Sequence, residues 1–209
     1  MLSFVTTYLS PRETLFDHGA ILIDRQGEWK KPSGESISLT VAELGEDGGY
    51  IIGDQSLFER FSSGDNFVAS APGVARAYMP DFRRSRKDVF AEASDLPTLA
   101  AKLGIAGDVL EGSVAQANAA TDSSPQIMRP PYFALGPVRA YVIQTKGGLR
   151  ISTNMEVVTA GGTPIPGLFA AGNAGQGGLA LNGYGHHLAW AFTSGRIAGR
   201  NAAHRQSVE

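Results

Sequence analysis

The 209-residue sequence contains no cysteine, and this absence excludes disulfide bonds, thiolate metal sites and cysteine nucleophiles. Charge is also scarce: charged residues make up 18% of the chain, and 18 basic residues stand against 20 acidic ones. This balance argues against a nucleic-acid-binding surface or a polybasic membrane patch. No apolar run reaches the ~18 residues that a membrane span needs, and the amino terminus is too polar for a secretory signal. We therefore expect a soluble, cytoplasmic protein.

Two phosphate-binding motifs are also missing. The run Gly175-x-Gly177-x-x-Ala180 superficially matches a dinucleotide fingerprint, but that fingerprint needs a following strand and an acidic residue for the ribose. No Asp or Glu occurs between Val157 and Val208, and no strand is predicted after the last helix. A Gly-Lys-Ser/Thr phosphate loop is absent as well. No group of His, Asp and Glu has metal-ligand spacing, so we predict no metal site.

Glycine, by contrast, is abundant and unevenly placed. Of the 26 glycines, 13 lie between Gly147 and Gly199. Dense glycine in a segment of low charge is typical of backbone that packs closely against a large flat group or against other backbone. The alternative is an ordinary series of glycine-rich turns.

The first part of the chain predicts a mixed α+β domain. Strands are expected where β-branched and apolar residues run together, and helices where apolar residues recur every three or four positions. The predicted strands are Ala20–Asp24 and Ile37–Leu44, and the predicted helices begin at Asp54 and cover Leu96–Leu103 and Val109–Ala120. Asp95 caps the start of the helix Leu96–Leu103, and Gly104 ends it. Residues 64–88 have no clean period and are expected to form a basic, solvated loop.

The second part predicts short strands, turns and one long helix. Strands are expected at Tyr132–Leu135, Val138–Thr145, Leu149–Ser152, Met155–Thr159 and Leu168–Ala171, and the helix at His187–Ala203. Leu168–Ala171 is wholly apolar, which is typical of a buried strand. Prolines at 125, 130 and 131 mark a seam between the two parts.

The loop before the last helix could bind a ligand. It leads into a helix start at Gly185-His186-His187-Leu188, where free N–H groups and the helix dipole favour an anionic or electron-rich atom. The pyrimidine edge of a reduced flavin is one such group. The alternative is a loop that only allows a buried helix to approach a sheet.

The carboxyl-terminal third resembles a known family. GGLRI, GTPIPGLFAAGNAGQGG and GYGHHLAWAFTSGRIAGRNAA are similar to the end of FAD-dependent oxidoreductases of the fumarate reductase and 3-ketosteroid dehydrogenase type. GAILIDRQGEW, PTLAAKLGIAGDVLEGSVAQAN and PPYFAL resemble, less closely, their substrate-capping domain and its return segment. The resemblance implies an α+β capping domain at residues 1–130. The carboxyl-terminal strand-turn-helix part of an α/β, Rossmann-like FAD-binding domain would follow at residues 131–209.

The sequence departs from this family in lacking the half that carries GxGxxG. We expect a separate polypeptide to supply that half, so the protein would be one subunit of a hetero-oligomer. The Met1 start and the intact order of the later segments favour a natural split subunit over a fragment.

The resemblance also implies roles for individual residues. Gly172 and Asn173 would contact the ribityl chain of FAD, while Gly185, His187 and Leu188 would lie beside the flavin ring. The substrate would meet three residues before and within the glycine-rich loop, Gln144, Thr145 and Asn182. Gln144 and Asn182 stand where fumarate reductases carry a His and an Arg that bind carboxylates. A neutral amide can donate a hydrogen bond but carries no positive charge to pair with a carboxylate, so we expect the substrate to be a ketone or enone rather than a dicarboxylate.

The candidate catalytic residues are Tyr184, Gly185 and His186. In ketosteroid dehydrogenases the glycine matching Gly185 donates its N–H to the substrate ketone, and a Tyr or His side chain can move the proton. The expected Tyr of the capping domain is missing, and Leu181 occupies the other Tyr position. The predicted function is therefore dehydrogenation or reduction of a C–C bond beside a carbonyl. The alternatives are a dicarboxylate enzyme subunit and a non-catalytic assembly module without flavin.

Overall fold

The computed structural model describes residues 2–6, 9–32, 36–64, 67–69, 78–120, 125–141, 147–177, 179, 181 and 184–206. The chain divides into two units, Met1–Tyr141 and Val142–Glu209. The helices in the described part of the chain are all too short or too polar to cross a membrane.

The first unit is built on an antiparallel sheet. Its strands are β1 (Leu2–Phe4), β2 (Ser10–Pro11), β3 (Ile21–Asp24), β4 (Trp29–Lys30), β5 (Gly49–Gly53), β6 (Val68–Ala69), β7 (Phe90–Ala93) and β8 (Tyr132–Ala140). Its helices are α1 (Thr14–Asp17), α2 (Ile37–Glu43), α3 (Gln55–Arg60), α4 (Met79–Ser85), α5 (Leu96–Leu103) and α6 (Gly107–Ala119). The strand order is β1-β8-β5-β3-β4, and β7 also pairs with β8, while β2 and β6 form a separate pair.

Apolar side chains cover both faces of this sheet. Alternate residues of a strand point to opposite faces, so Leu22 and Ile51 pack with the aromatic residues of α3 and α4. Their neighbours Ile21, Ile23 and Ile52 pack on the other side against α5 and α6. The mixed α+β character predicted for this part of the chain is confirmed.

The predicted helix caps are also confirmed. The Asp95 side chain accepts a hydrogen bond from the Thr98 N–H at 2.8 Å, and Gly104 ends α5 with a left-handed φ of 71°. The Asp54 side chain caps α3 in the same way, through the N–H groups of Ser56 and Leu57. Both carboxylates satisfy N–H groups that a helix start leaves without partners.

Two predictions for the first unit are wrong. Ile37–Leu44 is not a strand, because Ser36 caps a helix and the buried residues Ile37, Thr40 and Val41 share one helical face. The segment 64–88 is not only a loop, since Met79–Ser85 forms α4 with Met79 and Phe82 buried. In both segments the apolar residues are spaced three or four apart, and that period was obscured by β-branched or basic neighbours.

The second unit contains β9 (Glu156–Val158), β10 (Pro164–Phe169) and α7 (Tyr184–Gln206). β9 and β10 form an antiparallel pair, and at Leu149–Ser152 only Ile151 makes an isolated bridge, to Val157. Leu168–Ala171 is therefore not a buried strand within the described chain. β10 ends at Phe169, and Leu168 is 44% exposed. The apolar run is present but only partly covered, since Ala170 is buried while Leu168 is not.

The two strands predicted at Tyr132–Leu135 and Val138–Thr145 form one strand, β8, as far as Ala140. Residues 142–146 lie outside the described residues. β8 pairs with β1, β5 and β7, so it belongs to the first unit. The division therefore falls after Tyr141, whereas the domain boundary proposed from the sequence at residue 130 remains a prediction.

Asp24 should make the stability of the first unit pH-dependent. Burial raises the pKa of Asp24, but hydrogen bonds from Lys30 and from the Glu28 and Gln26 N–H groups outweigh it, so the pKa lies below its usual value. A lowered folded-state pKa means that the stabilisation is complete above the ordinary Asp pKa of about 4 and is lost as pH falls through the lower, folded-state value. Asp24→Asn, which removes the Lys30 ion pair (2.7 Å), should lower the free energy of unfolding at neutral pH by about 1–2 kcal/mol.

Urea unfolding at a series of pH values measures this effect. The Asp24→Asn protein should lose less stability than the wild type when pH is lowered below about 4. Asp47→Asn, which alters an exposed carboxylate in the turn before β5, is the control. Equal acid sensitivity of wild type and Asp24→Asn would contradict the role given to the Lys30 pair.

Candidate functional site

The predicted site residues that the structure describes all lie in the second unit. A tight turn, Gly172–Gly175, follows β10. Gly172 has a left-handed φ of 57°, and a Cβ on Gly175 would stand 2.5 Å from the Ala170 carbonyl oxygen. The Gly175 N–H donates to the carbonyl oxygens of Ala171 and Gly172, each at 3.2 Å. This geometry exposes Asn173 at the tip of the turn.

Gly148 brings a second stretch of backbone against the same turn. A Cβ on Gly148 would lie 2.5 Å from the Asn173 carbonyl oxygen and 2.7 Å from that of Ala174. The Leu149 N–H donates to the Ala174 carbonyl oxygen at 2.7 Å. The concentration of glycine in the sequence indicated such close approach, but it did not identify Gly148 as the residue that requires it.

The start of α7 is open. Gly185 and His186 are exposed, and no atom from another described element lies within 4 Å of a Cβ built on Gly185. The N–H groups of a first helical turn have no partners within the helix. Tyr184 is the first residue of α7, but its side chain lies outside the described part of the structure.

His187 is held against the preceding loop. Its Nε2 lies 3.0 Å from the Leu181 carbonyl oxygen, so in the neutral ring Nε2 carries the proton and Nδ1 keeps its lone pair. Nδ1 is buried and has no partner among the described residues. The structure thus gives the adjacent histidines different roles, since His187 fastens the loop while His186 faces outward.

Side chains from α7 join the turn to the helix. The Gly172 N–H donates to Ser194 Oγ at 2.9 Å, and Trp190 Nε1 donates to the Gly172 carbonyl oxygen at 3.1 Å. Sequence reasoning missed both residues. The structure therefore brings Gly172 and Asn173 together with the helix that begins at Tyr184. Gln144, Thr145 and Asn182 lie outside the described residues.

The charge at this site is suited to an electron-rich ligand. The turn and the helix start offer backbone N–H groups and the neutral amide of Asn173, and no acidic residue occurs from Val157 to Val208. Within the described ranges, no three His, Asp or Glu side chains are placed to bind a metal ion. The donors fit the edge of a planar, electron-rich ring and the hydroxyl groups of a sugar chain.

The second unit also exposes much apolar surface. Eight large apolar side chains are exposed in the described part of the chain, and six of them belong to this unit: Leu149, Ile165, Leu168, Leu179, Leu188 and Phe192. Phe192 is 78% exposed. Together with Leu188 and two exposed glycines, Gly195 and Gly199, it forms a stripe that we term the outer face of α7. The opposite side of the helix carries the buried residues Ser194 and Ala198.

Comparison with known proteins identifies similar sequences and folds. The sequence pattern of a family described as "FAD binding domain" matches residues 18–184. The 4-oxocyclohex-2-ene-1-carboxylate 5-dehydrogenase of Sinomonas cyclohexanicum is 28% identical over 241 aligned positions, which cover 94% of this chain and 39% of that protein.

Two solved structures share the fold. A flavocytochrome c3 fumarate reductase in an open conformation gives a TM-score of 0.62 at 21% identity over 97% of this chain. The 3-ketosteroid Δ1-dehydrogenase of Sterolibacterium denitrificans, solved with 1,4-androstadiene-3,17-dione, gives 0.58 at 22% identity, also over 97%. The chain spans only 35% and 42% of those two structures.

Proposed function

Because the chain belongs to the FAD-binding domain family, we propose that it forms part of an FAD-dependent oxidoreductase that dehydrogenates or reduces a C–C bond beside a carbonyl. Two features carry this proposal: the exposed start of α7, and the exposed turn at Asn173, which Trp190 and Ser194 further along the same helix hold by hydrogen bonds. Both lie in a region without acidic side chains. FAD, when bound, supplies the redox chemistry of hydride transfer.

The residues that would hold FAD lie on two elements. Gly172 and Asn173 present a backbone turn and an amide to the ribityl hydroxyl groups. Gly185, His187 and Leu188, in the first turn of α7, would lie beside the flavin ring, where the helix dipole would favour the negative charge of the reduced ring. The Leu181 bond of His187 keeps the loop closed against this turn.

The same helix start would act on the substrate. The Gly185 N–H donates a hydrogen bond to the substrate carbonyl, which makes the adjacent C–H more acidic. His186 or Tyr184 then accepts or returns the proton. His186 is the better placed of the two histidines, because it is exposed while the Nε2 of His187 is engaged by Leu181.

We further propose that the substrate is a cyclic ketone or enone, neutral or with one carboxylate. Gln144 and Asn182 would contact it as neutral amides, with Thr145 beside them. The related dehydrogenase from Sinomonas cyclohexanicum is named for an oxocyclohexene carboxylate, and this supports the same substrate class.

A separate polypeptide would complete the flavin domain. The exposed outer face of α7 and the exposed apolar strand β10 support this part of the proposal. A helix that packs one side within its own unit and exposes apolar residues on the other side can be covered there by a second layer. The sequence lacks GxGxxG, so the partner we propose is a Rossmann-like half with that motif.

Asn173→Leu tests the cofactor assignment. The substitution removes the amide but leaves the backbone turn unchanged, so FAD affinity should fall about tenfold while the complex stays folded. The measurement is the flavin absorption band of the complex and titration of the FAD-free complex with FAD. Asn154→Leu, at an exposed turn before β9, is the control.

Two results would count against the proposal. A complex that is colourless and does not bind added FAD would favour the non-catalytic assembly module. Equal FAD affinity of wild type and Asn173→Leu would show that Asn173 has been given the wrong role.

A further inference from the structure

A closed ring of hydrogen bonds connects Gly172 to α7. The Gly172 N–H donates to Ser194 Oγ at 2.9 Å, and Ser194 Oγ donates to the Trp190 carbonyl oxygen at 2.5 Å. Trp190 Nε1 donates back to the Gly172 carbonyl oxygen at 3.1 Å. One residue of the turn is therefore held at both its N–H and its C=O by two side chains one helical turn apart.

The ring is buried at its centre. Ser194 is 0% exposed, and serine inside a helix is not favoured for helix stability. Its hydroxyl group has both a donor and an acceptor partner, so each polar atom in the ring is satisfied. Loss of the hydroxyl would leave the Gly172 N–H without its described partner, which is costly in a buried setting.

The ring fixes the backbone from which Asn173 extends. The Gly172 N–H belongs to the peptide plane before the residue, and the Gly172 C=O belongs to the plane after it. Fixing both planes fixes the position of the Asn173 Cα and so limits the space that its side chain can reach. Asn173 itself is exposed, so its position depends on this backbone support.

We propose that Ser194 and Trp190 are positioning residues that set the spacing between Asn173 and the start of α7, and hence between the two elements that hold FAD. This proposal rests on the proposed function. Neither residue is among those proposed to hold the cofactor or the substrate, and both would act through the Gly172 backbone.

The test is FAD binding by the assembled complex with Ser194→Ala. FAD affinity should fall about tenfold. The visible circular dichroism of bound flavin should also change, because the flavin ring system would be held at a different angle to the protein. Ser194→Thr keeps a hydroxyl group that can bond the carbonyl four residues earlier, so it should restore affinity to within about threefold of wild type.

Ser113→Ala is a matched control. Ser113 is also a nearly buried helical serine whose hydroxyl bridges backbone groups, the Trp29 N–H at 2.9 Å and the Gly27 carbonyl oxygen at 2.8 Å. It lies on α6 in the first unit. Ser113→Ala should lower the melting temperature about as much as Ser194→Ala does, yet leave FAD affinity and the flavin spectrum unchanged.

Trp190→Phe provides a second variant, because it removes only the indole N–H and keeps an aromatic ring. It should weaken FAD binding in the same direction as Ser194→Ala. If the wild-type complex binds FAD and both variants bind it equally well, the positioning role is wrong while the proposed function stands. If the wild-type complex binds no FAD, both are overturned.

Discussion

Phe192→Asp should abolish assembly of this chain with the polypeptide that we propose completes the flavin domain. Phe192 is 78% exposed on the outer face of α7, beside Leu188 and opposite the buried Ser194. Removing a large aromatic side chain from an interface costs affinity, and burying an unpaired carboxylate in its place costs several kcal/mol more. We expect the dissociation constant of the complex to rise at least about 100-fold.

In the isolated chain, the same substitution should increase solubility rather than impair the protein. With its apolar surfaces uncovered, the wild type should self-associate or be poorly soluble, and Phe192→Asp should make it more soluble. Sizing chromatography and a pull-down with the partner measure the two effects. Leu39→Asp is the control, because Leu39 is exposed on α2 in the first unit. A wild-type chain that is a well-behaved monomer, or a Phe192→Asp chain that still assembles, would contradict the proposed interface.

Gly185→Pro should abolish turnover while leaving part of the FAD bound. Proline has no N–H, so the donor proposed for the substrate carbonyl is lost, and such a donor is worth about 100-fold or more in rate. The first turn of a helix tolerates proline, and no other described element comes within 4 Å of a Cβ at this position. Gly185→Ala keeps the N–H in the same open space and should retain most of the activity.

The substrate screen for this experiment uses succinate, fumarate, a 3-ketosteroid and cyclohexanone with the assembled complex. Ketone turnover by the wild type and by Gly185→Ala, but not by Gly185→Pro, is the expected pattern. Fumarate should be a poor substrate, because the amides of Gln144 and Asn182 cannot compensate two buried carboxylates. Turnover restricted to the dicarboxylates would instead support the fumarate reductase type and would show that these two amides have been aligned wrongly.

Local signals in the sequence predicted those parts of the fold that depend on neighbouring residues. Asp95 and Gly104 delimit α5 because a cap needs only the residues around it. A strand was wrongly predicted at Ile37–Leu44 because its β-branched residues favour a strand. The segment forms a helix instead, since Ser36 caps it and its buried residues have helical spacing. The burial of Leu168 was predicted wrongly for another reason. An apolar strand has the same sequence pattern whether its own chain or another chain covers it.

In the candidate site, too, local features could be predicted from the sequence and long-range contacts could not. The start of α7 was proposed from the glycine-rich loop before it, and Gly172 from the family resemblance, since both signals are contiguous in sequence. Ser194 was not found, because its partner Gly172 lies 22 residues away and nothing in the spacing connects a helical serine to that peptide group. Such a contact exists only once the turn and the helix are packed together.

The position of β8 has a consequence for synthesis on the ribosome. β1 and β7 have β8 as their only described partner in the sheet, and Leu2 pairs with Ala140. β1 leaves the exit tunnel long before β8, and it must therefore wait for one of the last segments of its unit before it can pair. Contacts between such distant parts of a chain slow folding, and unpaired strand edges invite association with other chains. The nascent unit should thus depend on chaperones until Ala140 has emerged, and a ribosome pause before Tyr132 would lengthen that vulnerable period.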